Sequence, residues 1–187
     1  MRFLLIIPAM ALAACSPNAA EPAAQRAAGL RAPDVRYEPT PQSVVDQMLE
    51  LAEVGPNDVV YDLGSGDGRI PIAAARQHGA RGVGIDIDPV RIGEARANAV
   101  EAGVTDRVSF RNEDLFTADF SEATVVTLFL YPDLNLKLRP RLLAELAPGT
   151  RIVSYWHHMG DWKPERTVPT PRAALYLWRI PERAPTP

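Results

Sequence analysis

The stretch Val59-Val60-Tyr61-Asp62-Leu63-Gly64-Ser65-Gly66-Asp67-Gly68-Arg69 limits what this chain can fold into more than any other. A short apolar run ends around an acidic residue. Three glycines then alternate with small polar residues, and an Ala-rich segment follows. That order reads as strand, tight turn and helix. Glycine lets backbone take positive φ and approach a ligand closely, and a helix start offers free N–H groups. A nucleotide-type cofactor is the expectation, and the glycine spacing alone does not choose one.

The alternation continues downstream. Arg69–Gln77 is the first helix of the repeat, Gly82–Ile87 the second strand, and Asp88-Pro89 opens a helix to about Ala102, with Asp88 as its N-cap. Arg107–Arg111 reads as the third strand, Ala123–Leu130 as the fourth, Asn135–Leu146 as a helix ending at Pro148-Gly149, and Thr150–Tyr155 as the fifth strand. Upstream, Thr40 is the expected N-cap and Pro41 the first residue of a helix burying Val44, Val45, Met48, Leu49 and Ala52. Gly55-Pro56 ends it. Beyond Trp162-Lys163-Pro164, the run Ala174–Ile180 mixes aliphatic and aromatic residues like an edge hairpin. The expected fold is therefore α/β: a Rossmann-like, doubly wound, mostly parallel sheet with helices on both faces and an antiparallel C-terminal edge hairpin.

The ends read differently. Arg2 precedes an apolar run, Phe3–Ala14, as long as a secretory signal core, and it closes Leu12-Ala13-Ala14-Cys15-Ser16. This resembles the lipobox of bacterial lipoproteins, in which the cysteine becomes the lipid-bearing N-terminus. Cys15 is the single cysteine of the chain, so no intrachain disulfide can form. The expected division is a signal at 1–14, an Ala/Pro-rich flexible tether at 15–36, the folded domain at 37–181 and a disordered tail at 182–187. A lipid on Cys15 implies membrane anchoring without a span. The expected address is the cell envelope, on the periplasmic side, with Ser16 resembling the pattern sorted to the outer membrane. A misassigned leader would leave the protein in the cytoplasm. The net charge of −3 argues against a general phosphate-backbone binder, so no nucleic-acid partner is expected.

In an open parallel sheet the ligand lies beyond the carboxyl ends of the strands. Asp62, Asp86 and Asp114 fall at three such ends. Asp86 suits a ribose hydroxyl pair, which a dinucleotide would also present. Two details separate the candidates. Arg69 stands where the dinucleotide fingerprint has its third glycine, and Asp62 and Asp67 put negative charge where a pyrophosphate would be repelled. S-adenosylmethionine, with an ammonium, a sulfonium and no phosphate, suits those acids.

Asp62-Leu63-Gly64-Ser65-Gly66-Asp67-Gly68 resembles motif I of the class I S-adenosylmethionine-dependent methyltransferases. Gly84-Ile85-Asp86-Ile87-Asp88 is similar to their acidic second-strand motif, and Asn112-Glu113-Asp114-Leu115-Phe116 to their adenine-contacting segment. More narrowly, Pro39-Thr40-Pro41, Val44-Val45, Met48-Leu49, Tyr61-Asp62 and Pro148–Ser154 resemble a subgroup. It holds small lysine methyltransferases related to the mitochondrial ATP synthase c-subunit lysine methyltransferases and, more distantly, histone methyltransferases of the Dot1 type. The resemblance spans about residues 37–156. It implies that Asp62 holds the methionine amino group and that Gly64 and Gly66 let backbone approach the methionine part. Asp86 accepts the ribose hydroxyls, Ile87 flanks the adenine, and Asp114 with the Leu115 N–H reads its edge. Tyr37 and Thr40 fold over the cofactor.

Methyl transfer is an in-line displacement that rests on positioning. The wall facing the methyl group is expected from Leu128-Phe129-Leu130-Tyr131-Pro132. Methyltransferases of planar amino groups place Asn or Asp and a doubled proline there, which this chain lacks. A Phe-Leu-Tyr wall suits a lysine stem, and aromatic faces hold an ammonium. Tyr131 is the candidate substrate-side, catalytic residue. His157-His158 offer a proton acceptor. No metal site is expected, because adjacent histidines on an extended stretch point opposite ways. Trp156 and Trp162 are candidates for lining a cleft or for packing under the hairpin. The expected activity is S-adenosylmethionine-dependent N-methylation of a protein lysine or small amine, by a monomer. The alternative is a methyltransferase-like binding lipoprotein without turnover, and a nicotinamide-dependent oxidoreductase is disfavoured by Arg69 and the loop acids.

Overall fold

The computed structural model describes residues 30–182, and Cys15, the leader and most of the tether and tail lie outside them. The elements are α1 (Gln42–Leu51), β1 (Val59–Leu63), α2 (Arg69–His78), β2 (Arg81–Asp86), α3 (Pro89–Ala102), β3 (Val108–Asn112), β4 (Val125–Leu128), α4 (Pro132–Glu145), β5 (Arg151–Tyr155), β6 (Arg166–Pro169) and β7 (Ala174–Arg179). They build a seven-stranded sheet in the order β3-β2-β1-β4-β5-β7-β6. The first five run parallel, and β7 and β6 add an antiparallel hairpin at one edge. This is the expected architecture.

Alternation along each strand sends side chains to opposite faces. Val60, Val125, Val153 and Leu177 pack with α1 and α2, through Val45, Met48, Leu49 and Ala74. Their neighbours Tyr61, Val126, Ile152 and Trp178 pack on the other face with Leu138 and Leu142 of α4. Phe110 of β3 joins Ile92, Ala95 and Ala99 of α3 in a smaller cluster. Two-sided burial explains why the central strands are apolar almost throughout.

Several element ends differ from expectation, each for a local reason. Pro41, at φ −56° and ψ 141°, is still extended, so α1 starts at Gln42 and Thr40 is not its cap. The fourth strand stops at Leu128, short of Leu130. Pro132 sits at the start of α4, whose helical turns begin before Asn135. Proline's fixed φ suits a first helical turn. Asp88 caps α3 as expected, its carboxylate accepting from the Val90 N–H at 2.8 Å. Trp162 packs on Trp178, whose indole N–H donates to the Trp162 carbonyl at 2.8 Å, so this tryptophan belongs to the hairpin core.

The ends of the strands opposite the glycine loop are tied by Asp58. Its carboxylate accepts from the Gly55 N–H at 2.8 Å and the Thr124 hydroxyl at 2.6 Å, and pairs with Arg151. Burial raises its pKa, but the Thr124, Gly55 and Arg151 interactions outweigh that and hold it below the usual range. Its contribution is therefore present above the ordinary carboxylate pKa of 3.8 and is lost as pH falls through its lower folded value. Asp58→Ala should cost about 2 kcal/mol in urea unfolding at pH 7, because a partly buried guanidinium loses its partner. The gap between variant and parent should narrow as the pH falls below about 4.

Candidate functional site

Strand order reverses between β1 and β4, and the glycine loop lies at that reversal. Gly64, Gly66 and Gly68 have φ of +89°, +51° and +78°, which only glycine adopts without strain. The loop bends back onto β2, with the Gly64 and Ser65 N–H groups donating to the Ile85 carbonyl at 2.8 and 3.0 Å. Gly66 is also tight: a Cβ there would stand 2.3 Å from the Tyr37 ring. The Arg91 guanidinium lies over the Tyr37 ring, 4.8 Å from its centroid.

A cavity of about 300 Å³ opens beyond these strand ends, walled by Gly64, Asp86, Ile87, Asp114, Leu115 and Tyr37 among others. A pocket of about 30 Å³ adjoins it, lined by Thr40, Asp62, Gly64, Tyr37 and Phe129. The structure thus brings together eight of the nine cofactor candidates, with Gly66 behind Tyr37. Tyr131 stands apart from both, 53% exposed, in a third cavity of about 230 Å³ beside Trp156 and His157.

Each acid has its own environment. Asp62 is only 4% exposed and accepts from the Thr127 hydroxyl at 2.8 Å, with no cation paired to it among the described residues. Burial, partly offset by Thr127 and reinforced by the charges of Asp86 and Asp67, pushes its pKa up to about 7. Asp86 accepts from the Asp88 N–H at 2.9 Å and the Gly66 N–H at 2.8 Å. Burial nevertheless leaves its pKa raised. Asn112 fixes the end of β2 by donating to the carbonyls of Asp86 and Ile87, both at 3.0 Å. Asp114 accepts from the Phe116 N–H at 2.9 Å and from Arg31 at 2.8 Å. Burial raises its pKa, and Arg31 together with the Phe116 N–H brings it below the usual range.

Sequence reasoning missed three partners. Arg69 pairs with Asp67 (Nη2–Oδ2 2.6 Å) and donates to the Thr40 carbonyl at 2.8 Å, so the charge of Asp67 is already answered. Thr127 is a polar residue inside an apolar run, a signal that was present. Arg31 lies in the stretch 15–36 expected as tether, yet residues 31 and 33–36 wall the large cavity and form a strap across it.

The donor set fits S-adenosylmethionine. A buried carboxylate without a cation suits the ammonium, Asp86 keeps lone pairs for ribose hydroxyls, and Asp114 with Leu115 faces the space an adenine edge needs. The loop's own guanidinium, Arg69, is committed to Asp67 and so is not free for a pyrophosphate. Fold and site together define an S-adenosylmethionine-dependent methyltransferase. The chain belongs to the ANTKMT methyltransferase domain family, whose model matches residues 62–166. It is 48% identical over 137 residues to a protein-lysine N-methyltransferase of Saccharolobus islandicus, covering 73% of this chain and 85% of that one. It is 34% identical over 143 residues to the adenine nucleotide translocase lysine N-methyltransferase of Mus musculus, of which it spans 62% while 76% of this chain is covered. A crystal structure described as an RNA methyltransferase of Salinibacter ruber, bound to S-adenosyl-L-homocysteine, superposes with a TM-score of 0.77 and 61% identity, covering 79% of this chain and 97% of that one. The cofactor is S-adenosylmethionine, and a fold kept only for binding finds no support.

An acid whose pKa is raised in the fold stabilises it while protonated. The contribution of Asp62 is complete below pH 3.8 and fades as pH rises to about 7. Asp62→Asn should therefore raise the Tm of the cofactor-free protein at pH 8 while weakening S-adenosylmethionine binding at least tenfold. Binding near pH 6.5 should release a proton from Asp62, seen as a buffer-dependent calorimetric enthalpy that vanishes in the variant.

Proposed function

We propose that this protein transfers a methyl group from S-adenosylmethionine to the side-chain amine of a protein lysine. The observation that carries the reading is the third cavity, where Phe129, Tyr131 and Trp156 wall a space that shares Phe129 and Leu130 with the lining of the cofactor cavity. Such a wall receives an alkyl stem and faces a cation well. The two curated relatives above are both named as lysine methyltransferases.

When bound, S-adenosylmethionine would supply an electrophilic sulfonium methyl group whose C–S electron pair returns to sulfur, and the acceptor amine would lose its proton to water. The residues position the partners. Asp62 would take the methionine ammonium, Gly64 would let backbone lie against it, Gly66 would leave room for the Tyr37 ring, and Tyr37 and Thr40 would cover it. Asp86 holds the ribose, and Ile87, Asp114 and Leu115 hold the adenine, with Asp114 shared with or released by Arg31. Tyr131, against His157 at 5.8 Å between ring centroids, faces the acceptor. Burial, and then the charge of His158, lowers the pKa of His157, so its imidazole is neutral at pH 7 and able to take up a proton.

Because the 61% identical structure is described as an RNA methyltransferase, the assay needs both acceptors. Full-length protein with radiolabelled S-adenosylmethionine should methylate lysine peptides and leave a structured RNA unlabelled, and Asp86→Ala should abolish labelling by preventing cofactor binding. Labelled RNA with unlabelled peptide would reverse the reading.

We also propose that lipid on Cys15 anchors the domain to the cell envelope, on the strength of Leu12-Ala13-Ala14-Cys15. No helix among the described residues is long and apolar enough to cross a membrane. Labelled palmitate should mark the chain and fail to mark Cys15→Ser.

A further inference from the structure

The cofactor cavity, the small pocket at its methionine end and the aromatic cavity share two lining residues, Glu38 and Phe129. Phe129 is an apolar divider. Glu38 is a carboxylate at the junction, on the strap, with no hydrogen bond or ion pair to any described residue. Arg36 lines the cofactor and aromatic cavities but not the methionine-end pocket, and no ion pair joins it to Glu38. Of the two acids touching the methionine-end pocket without a cation, Asp62 is the buried one and Glu38 the accessible one.

The aromatic cavity is built rather than incidental. Trp156 stands at φ +73°, a conformation that is costly for a large side chain and persists only when the surroundings impose it. Those surroundings are visible. The Ser154 hydroxyl donates to the His157 carbonyl at 2.7 Å, and the Asn135 amide donates to the same carbonyl at 3.3 Å and to Ser154 at 3.4 Å. Asn135 and Ser154 are wholly buried. This clamp turns the chain after β5 so that the indole, 39% exposed, stacks on Phe129 at 6.5 Å and 21° and forms one wall.

We propose that the aromatic cavity is the acceptor site and that Glu38 selects a cationic amine there, holding the incoming ammonium at the junction with the methyl donor. The proposal rests on the lysine-methyltransferase reading above. A carboxylate with no hydrogen-bond or ion-pair partner among the described residues is available to take one from the substrate, while the stem lies between Tyr131 and Trp156. Asp62 serves the ammonium of the cofactor, so the cofactor's amine and the acceptor's amine are held by different acids, and the acceptor nitrogen gives its proton to water before its lone pair meets the methyl group.

The test uses the full chain with a decalysine peptide as acceptor, beside calorimetric titration with S-adenosylmethionine. Glu38→Gln should raise the KM for decalysine about tenfold, the scale of one charge-assisted hydrogen bond, with cofactor affinity held within about twofold. The rise of KM with added salt should flatten in that variant, and Glu38→Asp should recover most of the loss. Trp156→Gly accepts the positive φ without its side chain, so it should fold and show a similar KM rise. An unchanged KM in Glu38→Gln would overturn the proposal, as would loss of cofactor affinity in its place, which would hand Glu38 to the methionine ammonium. If the unmutated chain binds cofactor but never methylates decalysine, the lysine reading itself falls and takes this inference with it.

Discussion

A carboxylate buried without a cation organises this molecule. Asp62 ends β1 at the point where strand order reverses, and it has one neutral hydrogen bond, from Thr127 of the neighbouring strand. Burying such a group costs free energy unless it is protonated or finds a positive partner. In the proposed function the ammonium of the cofactor is that partner. The rest of the site follows from this placement: a loop of left-handed glycines leaves room over the acid, Tyr37 closes the space against Gly66, and Asp86 pins the loop by accepting from the Gly66 N–H.

Four partly or fully buried acids divide into two paired with an arginine and two that are not. Asp67 is locked to Arg69 and Asp58 to Arg151, and both have pKa values below the usual range. Asp62 and Asp86 are raised, mainly by burial. The same residue type thus serves as a strut in two places and, in the proposed function, as a binding group in two others. The difference lies in whether an arginine is within reach, which is a property of the fold and not of the local motif.

Much of this was legible in the chain itself. The glycine loop, the strand–helix alternation and the acids at three strand ends all follow from local chemistry, and local chemistry is what a sequence displays. Asp88 was readable as a cap because Pro89 follows it. The unreadable parts are long-range. Arg31 meets Asp114 across 83 positions and Arg69 meets Thr40 across 29, and no periodicity announces either. The composition of residues 15–36 resembles a tether because Ala and Pro dominate it, yet its last residues are held by contacts made elsewhere. Thr40 is the converse case. Its type suggested a cap, but an extended Pro41 moved the helix start and left the Thr40 carbonyl to Arg69.

Residues Val35, Arg36 and Glu38 roof the cofactor cavity and the aromatic cavity at once, and Tyr37 between them lies against Gly66 and Arg91. One short segment is therefore the ceiling of two rooms. A shared ceiling couples the two rooms: any displacement of it would admit water to both, and the polarity around a methyl donor and its acceptor would change together.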